Sequence, residues 1–220
     1  MIAFEIAAFE AVGRQIADFP WMPWAFQRDM ATQIRDEHRH LLMWLERLRR
    51  RGGRLGDFRL CTLEFDVCTG QSLAGRLALL QRIVEGFALE ALDLNRVLWE
   101  SRGDRTMVDY VARVQMDEVT HVRKGNDWLR WLCGGERQIT AAAARASAEA
   151  RARLVDSAQD LAADGCVDAG NLERLLGKLE QGQGMPLNVD LRRRAGFSED
   201  AIRDEGLRRK VQVSLSVSKG

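Results

Sequence analysis

Asp36–His40 reads D-E-H-R-H and Asp117–His121 reads D-E-V-T-H, so one pattern, Asp-Glu-x-x-His, occurs twice in a chain with only three histidines. Residues three apart lie on one face of an α-helix. Each copy therefore aims a carboxylate, Glu37 or Glu118, and an imidazole, His40 or His121, at a common point. Two helices furnished in this way supply half of a dinuclear site. The other half needs one inward glutamate from each of two further helices.

Working outward, Glu5 stands 32 residues before Glu37, and Glu85 stands 33 before Glu118. In an antiparallel helical hairpin, residues equidistant from the turn lie at the same height. The first midpoint is Trp21, between Pro20 and Pro23; the second falls between Ser101 and Arg102, beside Gly103. Both hairpins thus hold their glutamate and their Glu-x-x-His about 15 residues, or ~22 Å, above a turn. Glu10 and Glu90 are rivals, each five positions further on and about 140° around the helix. Equidistance favours Glu5 clearly and Glu85 only slightly.

The flanking pattern is helical. Helices are expected over Ile2–Asp18, Trp24–Arg50, Ser72–Glu100 and Asp104–Cys133, with Asp104 as N-cap and Gly52-Gly53 and Gly134-Gly135 as terminators. An alanine-rich helix over Thr140–Ala163 and a shorter one over Asn171–Glu180 follow, then a Q-G-Q-G-M-P loop. Arg59–Val67, inside the long connection of residues 54–70, and Val211–Val217 alternate as strands do. The expected fold is all-α: an antiparallel four-helix bundle of two hairpins and one crossover over residues 1–135. Helices and a tail over residues 136–220 pack on it, and a small two-stranded β element forms within the chain or across a homodimer.

Charge is balanced, 33 basic against 32 acidic residues, which excludes a global field for nucleic acid or an anionic membrane. Cys61, Cys68, Cys133 and Cys166 form no C-x-x-C pair, which suits a reduced compartment. No apolar run approaches ~20 residues, and M-I-A-F-E-I carries no basic leader. A cytoplasmic protein away from membranes is expected.

Four carboxylates and two imidazoles suit iron or manganese better than zinc, which favours four ligands, often thiolates. Two iron ions are the expected cofactor, with manganese or a mixed pair as the alternative. A metal-bound histidine usually passes its second N–H to a carboxylate, and Asp36 and Asp117 are placed to serve histidines on the neighbouring helix. A single Glu-x-x-His is more often a solvated face than a ligand pair; its repetition with matched glutamates favours ligation. His38 is expected at the surface, and Trp21, Trp24, Trp44, Trp99, Trp128 and Trp131 in the core and at hairpin ends.

In F-E-I-A-A-F-E, D-E-H-R-H-L-L, R-L-A-L-L-Q-R-I-V-E and M-D-E-V-T-H-V-R-K-G-N-D-W the chain resembles the ferritin-like superfamily of di-iron carboxylate proteins. With P-L-N-V-D-L-R-R-R-A-G-F, it resembles within that superfamily a bacterial domain-of-unknown-function family distantly akin to a tRNA-modifying hydroxylase. The resemblance places the third-helix ligand at Glu85, and D-E-H-R-H fits the D-E-x-R-H form of oxygen-activating members. One departure is that little helix precedes Glu5, which implies a more open site. The resemblance implies an O2-dependent oxidase or hydroxylase acting with an electron donor on a small organic or nucleoside-like substrate, with tRNA as the nucleic-acid candidate. Phe9, Phe87 and Ala88 are placed to line an apolar pocket. Metal storage or ferroxidase activity, and a bundle serving only as scaffold for a partner, are the alternatives.

Overall fold

Proline and glycine set the boundaries of the helices. In the computed structural model, which describes residues 1–57, 63–163 and 185–217, α1 (Ile2–Asp18) stops before Pro20 and α2 (Trp24–Arg50) starts after Pro23. Gly52, at φ +80°, turns the chain out of α2 in a left-handed conformation that side chains with a Cβ resist. Next come α3 (Leu63–Thr69) and α4 (Leu73–Leu77), whose cap Ser72 accepts the Gly75 N–H at 3.2 Å. A π-helical segment, Ala78–Val84, leads directly into α5 (Glu85–Ser101). The expected third helix is therefore continuous but contains one wide stretch. Asp104 accepts the Met107 N–H at 3.2 Å and starts α6 (Arg105–Cys133). The chain ends in α7 (Glu136–Ala163), α8 (Val189–Arg194) and α9 (Glu199–Val217).

Every regular element among the described residues is helical. α1 packs along α2 and α5 along α6, and α2 and α6 bring the two hairpins together. Apolar residues form a large cluster that includes Val12, Phe26, Met30, Leu77, Leu80 and Leu129, and a smaller one of Leu92, Val111 and Val114. Along α2, α5 and α6 the residues between these clusters are Gln33–His40, Glu85 and Glu118–His121. The polar side chains expected to hold metal thus lie between two dry layers.

Two expectations are corrected. Among the described residues the β element is absent: Leu63–Thr69 and Glu199–Val217 are helices. In the first, Val67 and Cys68 are both buried, which a two-residue period forbids and a helix allows. In the second, Ile202 is buried and Glu205 pairs with Arg209 one turn on at 2.8 Å, so the helix is in register well before Val211. A lone strand would leave its backbone unpaired, whereas a helix satisfies it internally. Residues 59–62 and the expected helix Asn171–Glu180 lie outside the described residues. The second correction concerns tryptophan: Trp21, Trp24 and Trp131 are 73%, 79% and 60% exposed.

The described part of the tail sits on α5 and α6, with Leu191 and Ala195 against Leu89, Val119 and Val122. Its polar anchor is Arg192, whose Nε and Nη2 each donate to Glu90 at 2.8 Å while Nη2 also reaches the Gly86 carbonyl at 3.0 Å. Glu90, the rival to Glu85, is thereby committed to the tail. Both partners are buried, so removing one strands a charge. Glu90→Ala should destabilise the fold by ~3–5 kcal/mol, whereas Glu10→Ala, at an exposed position, should stay within about 0.5 kcal/mol. Urea unfolding of the two variants measures both.

Candidate metal centre

One face of α2 carries Gln33, Glu37, His40 and Trp44 at successive spacings of four, three and four. This is the helical repeat that keeps side chains on a single inward stripe. Glu5 comes from α1, Glu85 from the first turn of α5, and Glu118 and His121 from α6. All six expected ligands are buried, none more than 6% exposed.

The structure brings the six together in two overlapping groups. Glu37, Glu85, Glu118 and His121 offer donor atoms that all lie within 4.8 Å of one another, and so do Glu5, Glu37 and His40. Glu37 belongs to both groups: its Oε1 is 3.1 Å from His121 Nδ1 and its Oε2 is 3.3 Å from His40 Nδ1. Glu118 also faces both ways, with Oε2 at 3.2 Å from His121 Nδ1 and Oε1 at 3.8 Å from His40 Nδ1. Glu5 and Glu85 are terminal. Glu85 Oε2 is buried with no hydrogen-bond partner, an arrangement that costs free energy unless something else satisfies it.

Asp36 and Asp117 serve histidines across the helix pair. His40 Nε2 donates to Asp117 Oδ2 at 3.0 Å, and His121 Nε2 lies 3.5 Å from Asp36 Oδ2. Each ring therefore turns Nδ1 toward the glutamates, since an ionised carboxylate can only accept. Arg39 joins the two supports, reaching Asp36 at 3.1 Å and Asp117 at 2.6 Å. Sequence reasoning placed Arg39 in the D-E-x-R-H form but gave it no role. It also missed three buried glutamines, although Gln33 and Gln81 each stand four positions before a ligand glutamate, a signal that could have been read.

The glutamines form a directed ladder. Gln33 Nε2 donates to Glu85 Oε1 at 2.5 Å, Gln81 Nε2 donates to Gln33 Oε1 at 3.2 Å, and Gln15 and Gln81 exchange a pair of bonds at 3.2 and 3.3 Å. The π segment places Gln81, and the Glu85 N–H donates five residues back to the Leu80 carbonyl. Any side chain at Gly125 would strike Gln81, so only glycine lets α6 approach this closely. On the other side of the site, Trp44 Nε1 donates to Glu5 Oε1 at 3.0 Å. Of the residues expected to line a pocket, Phe9 tilts against the exposed His38, ring centroids 6.2 Å apart. Ala88 packs with the Leu92–Val111–Val114 cluster, and Phe87 is half-buried.

Burial opposes charge on every carboxylate here. It raises Glu5 to about 7 and drives Glu85 well above the usual range, with neighbouring glutamates adding to both. Burial also opposes ionisation of Glu37, yet hydrogen bonds from His121 and His40 outweigh it and hold that group low. Burial lowers an imidazole, but Asp117, Glu37 and Glu5 carry His40 up to about 11; Asp36, Glu118 and Glu37 likewise raise His121.

The fold and site define a class: a helical protein with a buried carboxylate–imidazole centre able to hold a metal ion. The chain belongs to the family described as "Protein of unknown function (DUF455)", which matches residues 1–203. It is similar to an uncharacterized protein of Haemophilus influenzae, 29% identical over 110 residues, or 49% of this chain. The chain covers 38% of that relative's length. No solved structure matches. Among the described residues no helix is long and apolar enough to cross a membrane.

Because His40, His121, Glu5 and Glu85 all hold protons more tightly than free side chains do, a cation entering the cluster must displace protons. Loading should weaken as pH falls and should release protons at neutral pH. Calorimetric titration in buffers of different ionisation enthalpy measures that release; buffer-independent heats would refute it.

Proposed function

We propose that this chain is a ferritin-like, non-haem di-iron oxidoreductase that activates O2 to oxidise a small organic or nucleoside-like substrate. The observation that carries the proposal is the pair of donor groups sharing Glu37, each completed by an imidazole whose far nitrogen is fixed by an aspartate from the opposite helix. Oxygen-rich donors with two imidazoles suit iron or manganese. Charge supports a pair of cations: once their protons are displaced, six carboxylates, two neutral imidazoles and the Arg39 guanidinium leave five negative charges in or beside the cluster. Two divalent ions reduce that to one.

In this reading Glu37 and Glu118, which face both histidines, would serve both ions. Glu85 and His121 complete one ligand set, and Glu5 and His40 the other. Two bound ferrous ions supply electrons for reducing dioxygen. Asp117 and Asp36 hold the imidazole rings in the tautomer that leaves Nδ1 free to ligate. The apolar layers of Leu80, Met30, Leu92 and Val111 exclude water around the donors. Around Glu5 and His40 only three donors are already gathered, against four around Glu85 and His121.

Anaerobic ferrous titration should saturate at about two ions per chain, and exposure to oxygen should then produce a near-ultraviolet carboxylate–iron band. No iron above background would overturn the reading. Continued uptake far beyond two ions in air would replace oxygenase activity with ferroxidase or storage chemistry. His121→Ala should lose dinuclear binding while circular dichroism stays helical, because apolar packing holds the bundle; retention of two ions at unchanged affinity would exclude His121 as a ligand.

A further inference from the structure

Resting on that reading, we infer that Gln33 and Trp44 are positioning residues that set the two halves of the centre to unequal affinity, so that the Glu85–His121 half loads first. Each terminal glutamate has one oxygen held by an N–H donor from α2: Gln33 Nε2 on Glu85 Oε1, and Trp44 Nε1 on Glu5 Oε1. The donors flank the ligands on one stripe, Gln33 four residues before Glu37 and Trp44 four residues after His40. A carboxylate with one oxygen tied in this way presents only the other to a metal. Glu85 shows this directly, its Oε2 buried and unpartnered.

The two clamps differ in rigidity. Gln33 is 2% exposed and cannot turn over, because Gln81 donates to its oxygen and is itself locked to Gln15. Gln33 presents its NH2 to Glu85, which turns its oxygen toward Gln81, and Gln81 donates to that oxygen. Trp44 is half-buried and has no such backing. The Glu85 side also has four donors already gathered, against three around Glu5. A gathered and braced ligand set loses less entropy when an ion binds.

Mn(II) titration, followed by the electron paramagnetic resonance of the free ion, tests this without turnover. The native chain should show two steps of unequal affinity. Gln33→Met, which keeps chain length but removes the donor, should weaken the tighter step by about 10- to 100-fold and move the weaker step less than about threefold. Trp44→Phe should do the reverse. Gln81→Met, one rung back, should weaken the same step as Gln33→Met by a smaller factor, and stands in if that variant does not fold. Two equal steps in the native chain, or variants that shift both steps together or neither, would overturn the inference and leave two-metal binding intact. A native chain that binds neither Mn(II) nor Fe(II) would overturn the underlying reading and this inference with it.

Discussion

Four glutamates buried within one another's reach are the constraint to which the rest of the molecule answers. An isolated buried carboxylate costs several kcal/mol, and Glu5, Glu37, Glu85 and Glu118 lie together between two apolar clusters. The fold meets that cost with donors drawn from every neighbouring helix. His40 and His121 face the shared carboxylates, while Gln33 and Trp44 hold the terminal ones. Even so, Glu85 Oε2 remains unpartnered. A cluster assembled for stability alone would be better replaced by packed hydrophobes of similar volume. That unpartnered oxygen, beside other gathered donors, is what makes this cluster able to hold a cation.

The hairpins and the buried carboxylate–imidazole cluster were legible in the sequence for separate reasons. Pro20, Pro23 and Gly103 limit where α1, α2, α5 and α6 can begin and end, because they lack a donor or allow positive φ. The three-residue spacing of Glu37–His40 and Glu118–His121 survives any small error in helix boundaries. Equal distance from each turn then picked Glu5 over Glu10. It favoured Glu85 over Glu90 only slightly, because both candidates give midpoints at the turn around Gly103. Only the position of Arg192, 102 residues further along, shows that Glu90 faces the tail.

What escaped the sequence has physical causes too. A glutamine inside a helix reads as solvated face, so Gln15 gave no signal, and Gln33 and Gln81 gave only their place one turn before a glutamate. The π segment leaves no compositional mark, being a register of backbone hydrogen bonds in an ordinary apolar run, A-L-L-Q-R-I-V. The alternation near Val211 misled because strand periodicity over a few residues is also compatible with a helix whose start lies well upstream. In the turn, F-P-W-M-P-W looked like a packing cluster, yet Trp21 and Trp24 stand largely in solvent. Met22, between them, is the residue of this segment that reaches the core.

Arg39 connects the two halves of the centre in a way that pairwise reading does not reveal. It holds Asp36, which supports His121, and Asp117, which supports His40, so one guanidinium stands behind both imidazoles. The crossed arrangement, α2 aspartate to α6 histidine and α6 aspartate to α2 histidine, ties the inter-hairpin contact to ligand orientation. Sliding α2 along α6 by one turn, about 5.4 Å, would break both aspartate–histidine pairs at once and turn both Nδ1 atoms away. The register of the two hairpins and the geometry of the candidate ligands are therefore one property. That is why the Asp-Glu-x-x-His pattern appears twice: each copy supplies the candidate ligands of its own helix and the support for the other.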